Sequence, residues 1–153
     1  MFEDKLFVAF GERDGVPGPT INEVLKAAGF EVRYQVTECF VWTAAGAMDT
    51  DNQSLMMRLV KEHGRENLIV VLGAADLEGV EISAETLTTG DPSFAGPLAG
   101  VSLGLQVYHI LEPVFKKYIP EDLYQDKLGI FELTTDAVQL EQSLAKIRDQ
   151  IAN

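Results

Sequence analysis

The only cysteine of the chain, Cys39, and its only tryptophan, Trp42, stand three positions apart in the stretch VTECFVWTAAGAMDTDN, Val36 to Asn52. The run before Cys39 has strand character, and the run from Asp49 onward has helix character. A thiol at the carboxyl end of a strand, ahead of a helix start, is placed for redox or group-transfer chemistry. Backbone N–H groups and the positive end of the helix dipole stabilise a thiolate there. Thr43-Ala44-Ala45-Gly46-Ala47 are small residues that let other groups approach the backbone closely. A redox site of this spacing asks for a second reactive atom at the fourth position, and the chain carries an indole instead. A cysteine buried as a small apolar residue is the alternative, and the residues alone leave both open. No metal is expected: Met48, Met56 and Met57 serve as gap-filling core, and no histidine lies near the one cysteine.

The elements that must position Cys39 alternate between strand and helix. Leu6 to Phe10 is a continuous apolar run closed by Gly11, the pattern of a strand buried on both faces. Glu12 to Pro19 is a loop punctuated by glycine and proline, and Thr20-x-x-Glu23 is a candidate capping box. Ile21, Val24, Leu25 and Ala28 follow at helical spacing, with Gly29 at the helix end. The loop has neither the Lys-Ser/Thr pair of a phosphate loop nor G-x-G-x-x-G, and no cofactor is expected. Its glycines accommodate neighbours, or Arg13 and Asp14 face an active site, because loops at strand carboxyl ends line the crevice of open α/β sheets. Glu31 to Glu38 alternates Val32, Tyr34 and Val36 with polar residues, which predicts a half-exposed edge strand delivering Cys39. A helix is predicted from Asp49 or Thr50 to just before Gly64.

Further along, Asn67 to Gly73 is the clearest buried strand. Ala74 to Gly90 is expected to be a loop with one short helix or edge strand around Ala84 to Thr88. Pro97 to Leu111 is predicted to be an apolar helix stopped by Pro113, with His109 as a hydrogen-bonded core histidine. Gly96, Gly100 and Gly104 would then form one stripe that something packs against closely, either the same chain or a second copy. Leu128 to Leu133 reads as a last strand, and Thr135 or Asp136 caps a final helix. The expected fold is α/β: a single domain over residues 1–153, with an open, mostly parallel sheet and helices on both faces. This is a flavodoxin/Rossmann-like, three-layer architecture, with strand order 2-1-3-4 and strands beginning near Leu6, Glu31, Leu68 and Leu128. Cys39 and residue 42 would lie at the carboxyl-end rim near the loops Gly11 to Gly18 and Gly73 to Asp76.

Charge narrows the partners. With 24 acidic against 12 basic residues the net charge is −12, which argues against nucleic acid and against an anionic membrane surface. No apolar stretch reaches the ~18 residues a membrane span needs. One cysteine cannot form an internal disulfide, which fits a reducing cytoplasm. The opening MFEDKLFVAF lacks the basic and apolar regions of a signal peptide.

Cys39-Phe40-Val41-Trp42-Thr43-Ala44-Ala45-Gly46-Ala47-Met48-Asp49 resembles the active-site segment of the selenoprotein A family of glycine/sarcosine/betaine reductase complexes. The resemblance continues at Gly11 to Pro19, Val70 to Gly73, Ser83 to Thr86, Gly90 to Pro92, Ala95 to Val101 and Val107 to His109, in order along nearly the whole chain. In that family the position of Trp42 is selenocysteine, giving Cys-x-x-Sec. Selenocysteine is encoded by UGA, one base from the tryptophan codon UGG. The resemblance implies that residue 42 is the nucleophile and Cys39 the resolving residue; Thr43 and Gly46 beside them, with Arg13 and Asp14 of the loop after the first strand, are the candidate lining of the site. It implies that proteins B and C of the complex and a thioredoxin system are the partners. It also implies that a chain with Trp42 is inactive, because an indole cannot accept a carboxymethyl group. The competing expectation is a non-catalytic flavodoxin-like binding or regulatory module in which Trp42 is a contact residue.

Overall fold

The computed structural model describes residues 1–39 and 47–152. Trp42, Thr43 and Gly46 lie outside the described residues, and so do the expectations attached to their placement. The strands are β1 (Leu6–Glu12), β2 (Glu31–Glu38), β3 (Leu68–Leu72) and β4 (Gln106–His109). All pair in parallel, in the order β2-β1-β3-β4. The helices are α1 (Gly18–Ala27), α2 (Thr50–His63), α3 (Leu77–Thr88), α4 (Pro113–Lys116), α5 (Glu121–Thr134) and α6 (Ala137–Ala152).

The sheet has an apolar core on each face. Val8 and Phe10 of β1, with Leu68, Val70 and Leu72 of β3, meet Met56 of α2, Val80, Ala84 and Leu87 of α3, and Leu140 and Leu144 of α6. The alternate residues Phe7, Ala9, Ile69 and Val71 meet Ile21, Val24 and Leu25 of α1, Phe115 of α4 and Leu128 of α5. This is the α/β, three-layer, flavodoxin/Rossmann-like arrangement expected from the sequence. The central strands β1 and β3 are buried on both faces, which is why their residues are apolar without alternation. Strand β2 covers one edge, and its exposed Glu31, Arg33 and Gln35 account for its polar alternation.

Four expectations about individual elements are corrected. Leu128 to Leu133 is not a strand but the end of α5, with Tyr124, Leu128 and Phe131 inward and Ile130 and Leu133 exposed at 66% and 88%. A short apolar run fits either period, and the sheet edge beside β3 is already taken by β4. Pro97 to Leu111 is not a helix but a loop leading into β4, because Gly100 and Gly104 adopt left-handed φ values of 72° and 63°. The three glycines therefore share no stripe. A Cβ on Gly96 would meet the Gln53 side chain, one on Gly104 the Arg65 side chain, and one on Gly100 nothing within 4 Å. The helix face proposed to hold a second copy of the chain does not exist.

Ala74 to Gly90 is mostly helix α3, capped where the Asp76 Oδ1 accepts the Gly79 N–H at 2.6 Å. Its apolar Val80, Ala84 and Leu87 were spaced for this, interleaved with acidic residues on the wet side. The capping box at Thr20 is absent as well. Helix α1 starts at Gly18, with Pro17 at the N-cap and no side-chain cap. His109 is buried and hydrogen-bonded as expected, but it lies on β4.

Candidate functional site

The carboxyl ends of the four strands are knitted into one rim by backbone hydrogen bonds. The Arg13 N–H donates to the Glu38 carbonyl at 2.8 Å, joining the loop after β1 to the last residue of β2. The Val16 N–H donates to the Gly73 carbonyl at 2.8 Å, and the Gly73 N–H to the Phe10 carbonyl at 2.9 Å, joining the same loop to the end of β3. Two glycines are required at that joint. A Cβ on Gly15 would stand 2.2 Å from the Gly73 carbonyl oxygen, and one on Gly73 would stand 2.2 Å from the Val16 oxygen. The glycines of this loop thus serve close backbone approach.

His109 closes the rim at β4. Its Nε2–H donates to the Ala74 carbonyl at 2.8 Å, and its Nδ1 accepts the Leu111 N–H at 3.1 Å. Both nitrogens are satisfied only in the neutral ring, and complete burial pushes the pKa down to about 4. The ring thereby ties the loop after β3 to the exit of β4.

Cys39 is half-buried and follows directly on β2. The bond from Arg13 to Glu38 brings the Arg13–Asp14 turn beside the strand end that delivers it. The two side chains are exposed and lie 3.7 Å apart as an ion pair, worth little in water. Cys39, Arg13 and Asp14 thus stand at the same, carboxyl end of the sheet, to which the bond from Val16 to Gly73 also ties the loop after β3. Among the described residues no group of His, Cys, Asp and Glu is arranged to hold a metal ion, and no helix is long and apolar enough to cross a membrane.

The other stem of the central segment is the head of α2. Asp49 caps it, its Oδ1 accepting the Asp51 N–H at 2.9 Å. Met48 and Gln53 are buried, and Gln53 holds a neighbouring loop in place. Its Nε2 donates to the Met48 carbonyl at 2.9 Å, and its Oε1 accepts the Leu98 N–H at 3.0 Å. That loop is built on Asp91, which accepts the N–H groups of Ser93, Ala95 and Gly96. Burial pushes the Asp91 carboxyl up, but these bonds and one from Gln53 outweigh it and hold the pKa below the usual range. The loop turns at Phe94, which is 73% exposed with φ 51°.

Buried carboxylates at this end of the sheet escaped the sequence reading, Glu38 and Glu12 among them. Glu38 is 4% exposed, and its Oε1 accepts from Asn52 Nδ2 at 2.8 Å while its Oε2 accepts the Asp49 N–H at 3.3 Å. Glu12, its register partner on β1, is 7% exposed and accepts the Asp14 N–H at 2.8 Å. Burial raises the pKa of both. Their only sequence signal was position, since each is the polar residue that ends its strand.

A family model described as glycine reductase complex selenoprotein A matches residues 2–148. A glycine/sarcosine/betaine reductase complex component A from Alkaliphilus metalliredigens is 48% identical over 150 residues, covering 98% of this chain and 95% of that protein. A component A from Carboxydothermus hydrogenoformans is 51% identical over 146 residues, covering 95% of this chain and 94% of that protein. A component A1 from Peptoclostridium acidaminophilum is 47% identical over 150 residues, with coverage of 98% and 95%. No solved structure matches the chain.

Proposed function

The chain belongs to the glycine reductase complex selenoprotein A family, and from that premise we propose that it is the carboxymethyl carrier and redox component of such a complex. The observation that carries this is similarity along nearly the full length, residues 2–148, in a chain whose Cys39 stands at the exit of an edge strand. In the proposed chemistry a selenolate at position 42 attacks the carbon of glycine, sarcosine or betaine activated on a pyruvoyl group of protein B, and the amine leaves. Protein C takes the two-carbon unit, which phosphate releases as acetyl phosphate. That unit leaves selenium as the Cys39 thiolate attacks: the Se–S bond forms, the Se–C bond breaks, its electron pair goes with the two-carbon unit, which takes up a proton, and a thioredoxin system reduces the resulting Se–S bridge. A bridge over so short a loop closes because the two atoms need meet only locally.

Arg13 and Asp14 are the proposed lining on the β1 side, and Thr43 and Gly46 the lining within the segment itself. The chain is taken as one domain that works in the cytoplasm with these partners. Trp42 has no nucleophilic atom, so the chain as it stands is an inactive form of the carrier. That same residue favours a second reading, a non-catalytic binding or regulatory module with Trp42 as a contact. The codon separates the two. UGA with a downstream selenocysteine insertion element supports the carrier, and a native UGG supports the module.

The test is mass spectrometry of the Trp42→Sec protein after incubation with active protein B and labelled glycine. A carboxymethyl adduct on residue 42 is expected, and acetyl phosphate once protein C and a dithiol are added. Absence of the adduct overturns the carrier reading.

A further inference from the structure

The loop between α3 and β4 points an aromatic ring into water. Phe94 is 73% exposed, and its backbone stands at φ 51°, a left-handed conformation that bulky residues rarely adopt. Folding gains from neither feature. A glycine or an asparagine at this position would relieve the backbone and take the apolar ring out of water. Yet the turn is built to hold the residue where it is. The Asp91 carboxylate, 1% exposed, accepts the N–H groups of Ser93, Ala95 and Gly96 at 2.9, 2.8 and 3.0 Å, with Phe94 between them. The Phe94 N–H donates to the Asp91 carbonyl at 3.2 Å, and the Asp91 N–H donates to the Leu98 carbonyl at 2.9 Å. Gln53 then fixes this frame to the head of α2, through Leu98 on one side and Met48 on the other. Pro92, Ala95 and Pro97 are exposed around the ring, and from Pro92 to Leu105 the chain carries no charged residue.

We propose that Phe94 is the anchor by which this chain docks onto protein B, entering an apolar pocket rimmed by basic side chains, a role that rests on the carrier reading above. A group held covalently on protein B can be taken only if the two proteins touch near the residues that take it. The Phe94 turn is tied to Met48 and the head of α2, which follow position 42 closely along the chain. Charge names the rim of the pocket. The turn is uncharged, but the helix head that holds it carries the exposed Asp49 and Asp51, in a chain of net charge −12. An aromatic ring on a turn already ordered loses little conformational freedom on docking, so it serves as an energetic centre of a small interface. A small interface with one anchor also lets go quickly, as a carrier moving between partners requires.

The test is binding of the purified chain, Trp42 included, to immobilised protein B, since docking requires no nucleophile. Phe94→Gly and Phe94→Asn both suit the left-handed backbone and remove the ring. Each should weaken binding about tenfold or more, chiefly through faster dissociation, with the melting temperature held within a few degrees of the parent's. Phe94→Trp should bind within about threefold of the parent, and added salt should slow association of the parent. Phe94→Gly and Phe94→Asn chains that bind protein B as the parent does overturn the docking site and leave the carrier reading standing. A parent chain that does not bind protein B overturns both. Binding to protein C weakened while binding to protein B is unchanged overturns protein B as the occupant. A change confined to self-association, measured by sedimentation, gives the ring to a second copy of the chain and likewise overturns the proposal.

Discussion

Glu38 and Glu112 stand at the carboxyl-end exits of the two edge strands, β2 and β4, and both are buried glutamates whose pKa burial raises. At the β4 exit the charge is fully answered. Glu112 receives Arg148 Nη2 at 2.8 Å and Nη1 at 3.1 Å, and the His109 N–H at 2.7 Å. The guanidinium also donates to the Val107 carbonyl and lies 4.0 Å from the centroid of the Tyr108 ring. This pins α6 to β4 through a nearly dry bidentate pair. At the β2 exit the same residue type has only an amide and a backbone N–H. One corner is built to be held, and the other keeps an uncompensated charge beside the residue proposed to react. Burial alone therefore does not say how a carboxylate's charge is answered; the partners the fold brings to it do.

Removing one partner at each corner tests the contrast most sharply. Arg148→Met leaves Glu112 buried and unpaired, and should lower the stability measured by urea unfolding by about 3–5 kcal/mol. Glu38→Gln should change it by no more than about 1 kcal/mol. Equal losses at the two corners would break the comparison.

Acid titration of stability comes next in size. The His109 pKa lies at about 4 in the folded protein against an ordinary 6.5, so the unfolded chain binds the proton first as pH falls. The stability held by neutral His109 is fully present above pH 6.5 and is lost as pH falls towards 4, by roughly 3 kcal/mol. Glu38 and Glu112 have raised pKa values and run the other way: their contribution is present below the ordinary carboxylate range and is lost as pH rises through the raised values. The slope of unfolding free energy between pH 6.5 and 4 should thus flatten in His109→Gln and steepen in Glu38→Gln. The reverse pattern would overturn the assigned shifts.

The smallest effects concern the joint that both corners share. Gly73→Ala sets a Cβ 2.2 Å from a backbone oxygen and should cost about 1–3 kcal/mol in thermal unfolding. Gly100→Ala meets no neighbour but adopts a φ of 72°, and should cost roughly 1 kcal/mol. An equal loss at Gly100 would restore the close packing once expected there.

What the chain's own residues determined was the part of the architecture that each segment decides locally. Leu6 to Phe10 and Leu68 to Leu72 could be satisfied only inside a sheet covered on both sides, and Glu31 to Glu38 only at an edge. Thr50 to His63, ended by Gly64, and the last helix from Ala137 carried their periodicity openly. Those elements suffice to place Cys39 at a strand exit with a glycine loop beside it. What the sequence left undecided was which remaining apolar run would take the open edge of β3. Gln106 to His109 and Leu128 to Leu133 both offered one, and left-handed turns at Gly100 and Gly104 delivered the first while Tyr124, Leu128 and Phe131 found a core as a helix. The roles of Glu38 and Glu112 were undecidable for the same reason. A glutamate's charge state follows from which side chains the fold brings to it, and Asn52 and Arg148 lie 14 and 36 residues away along the chain.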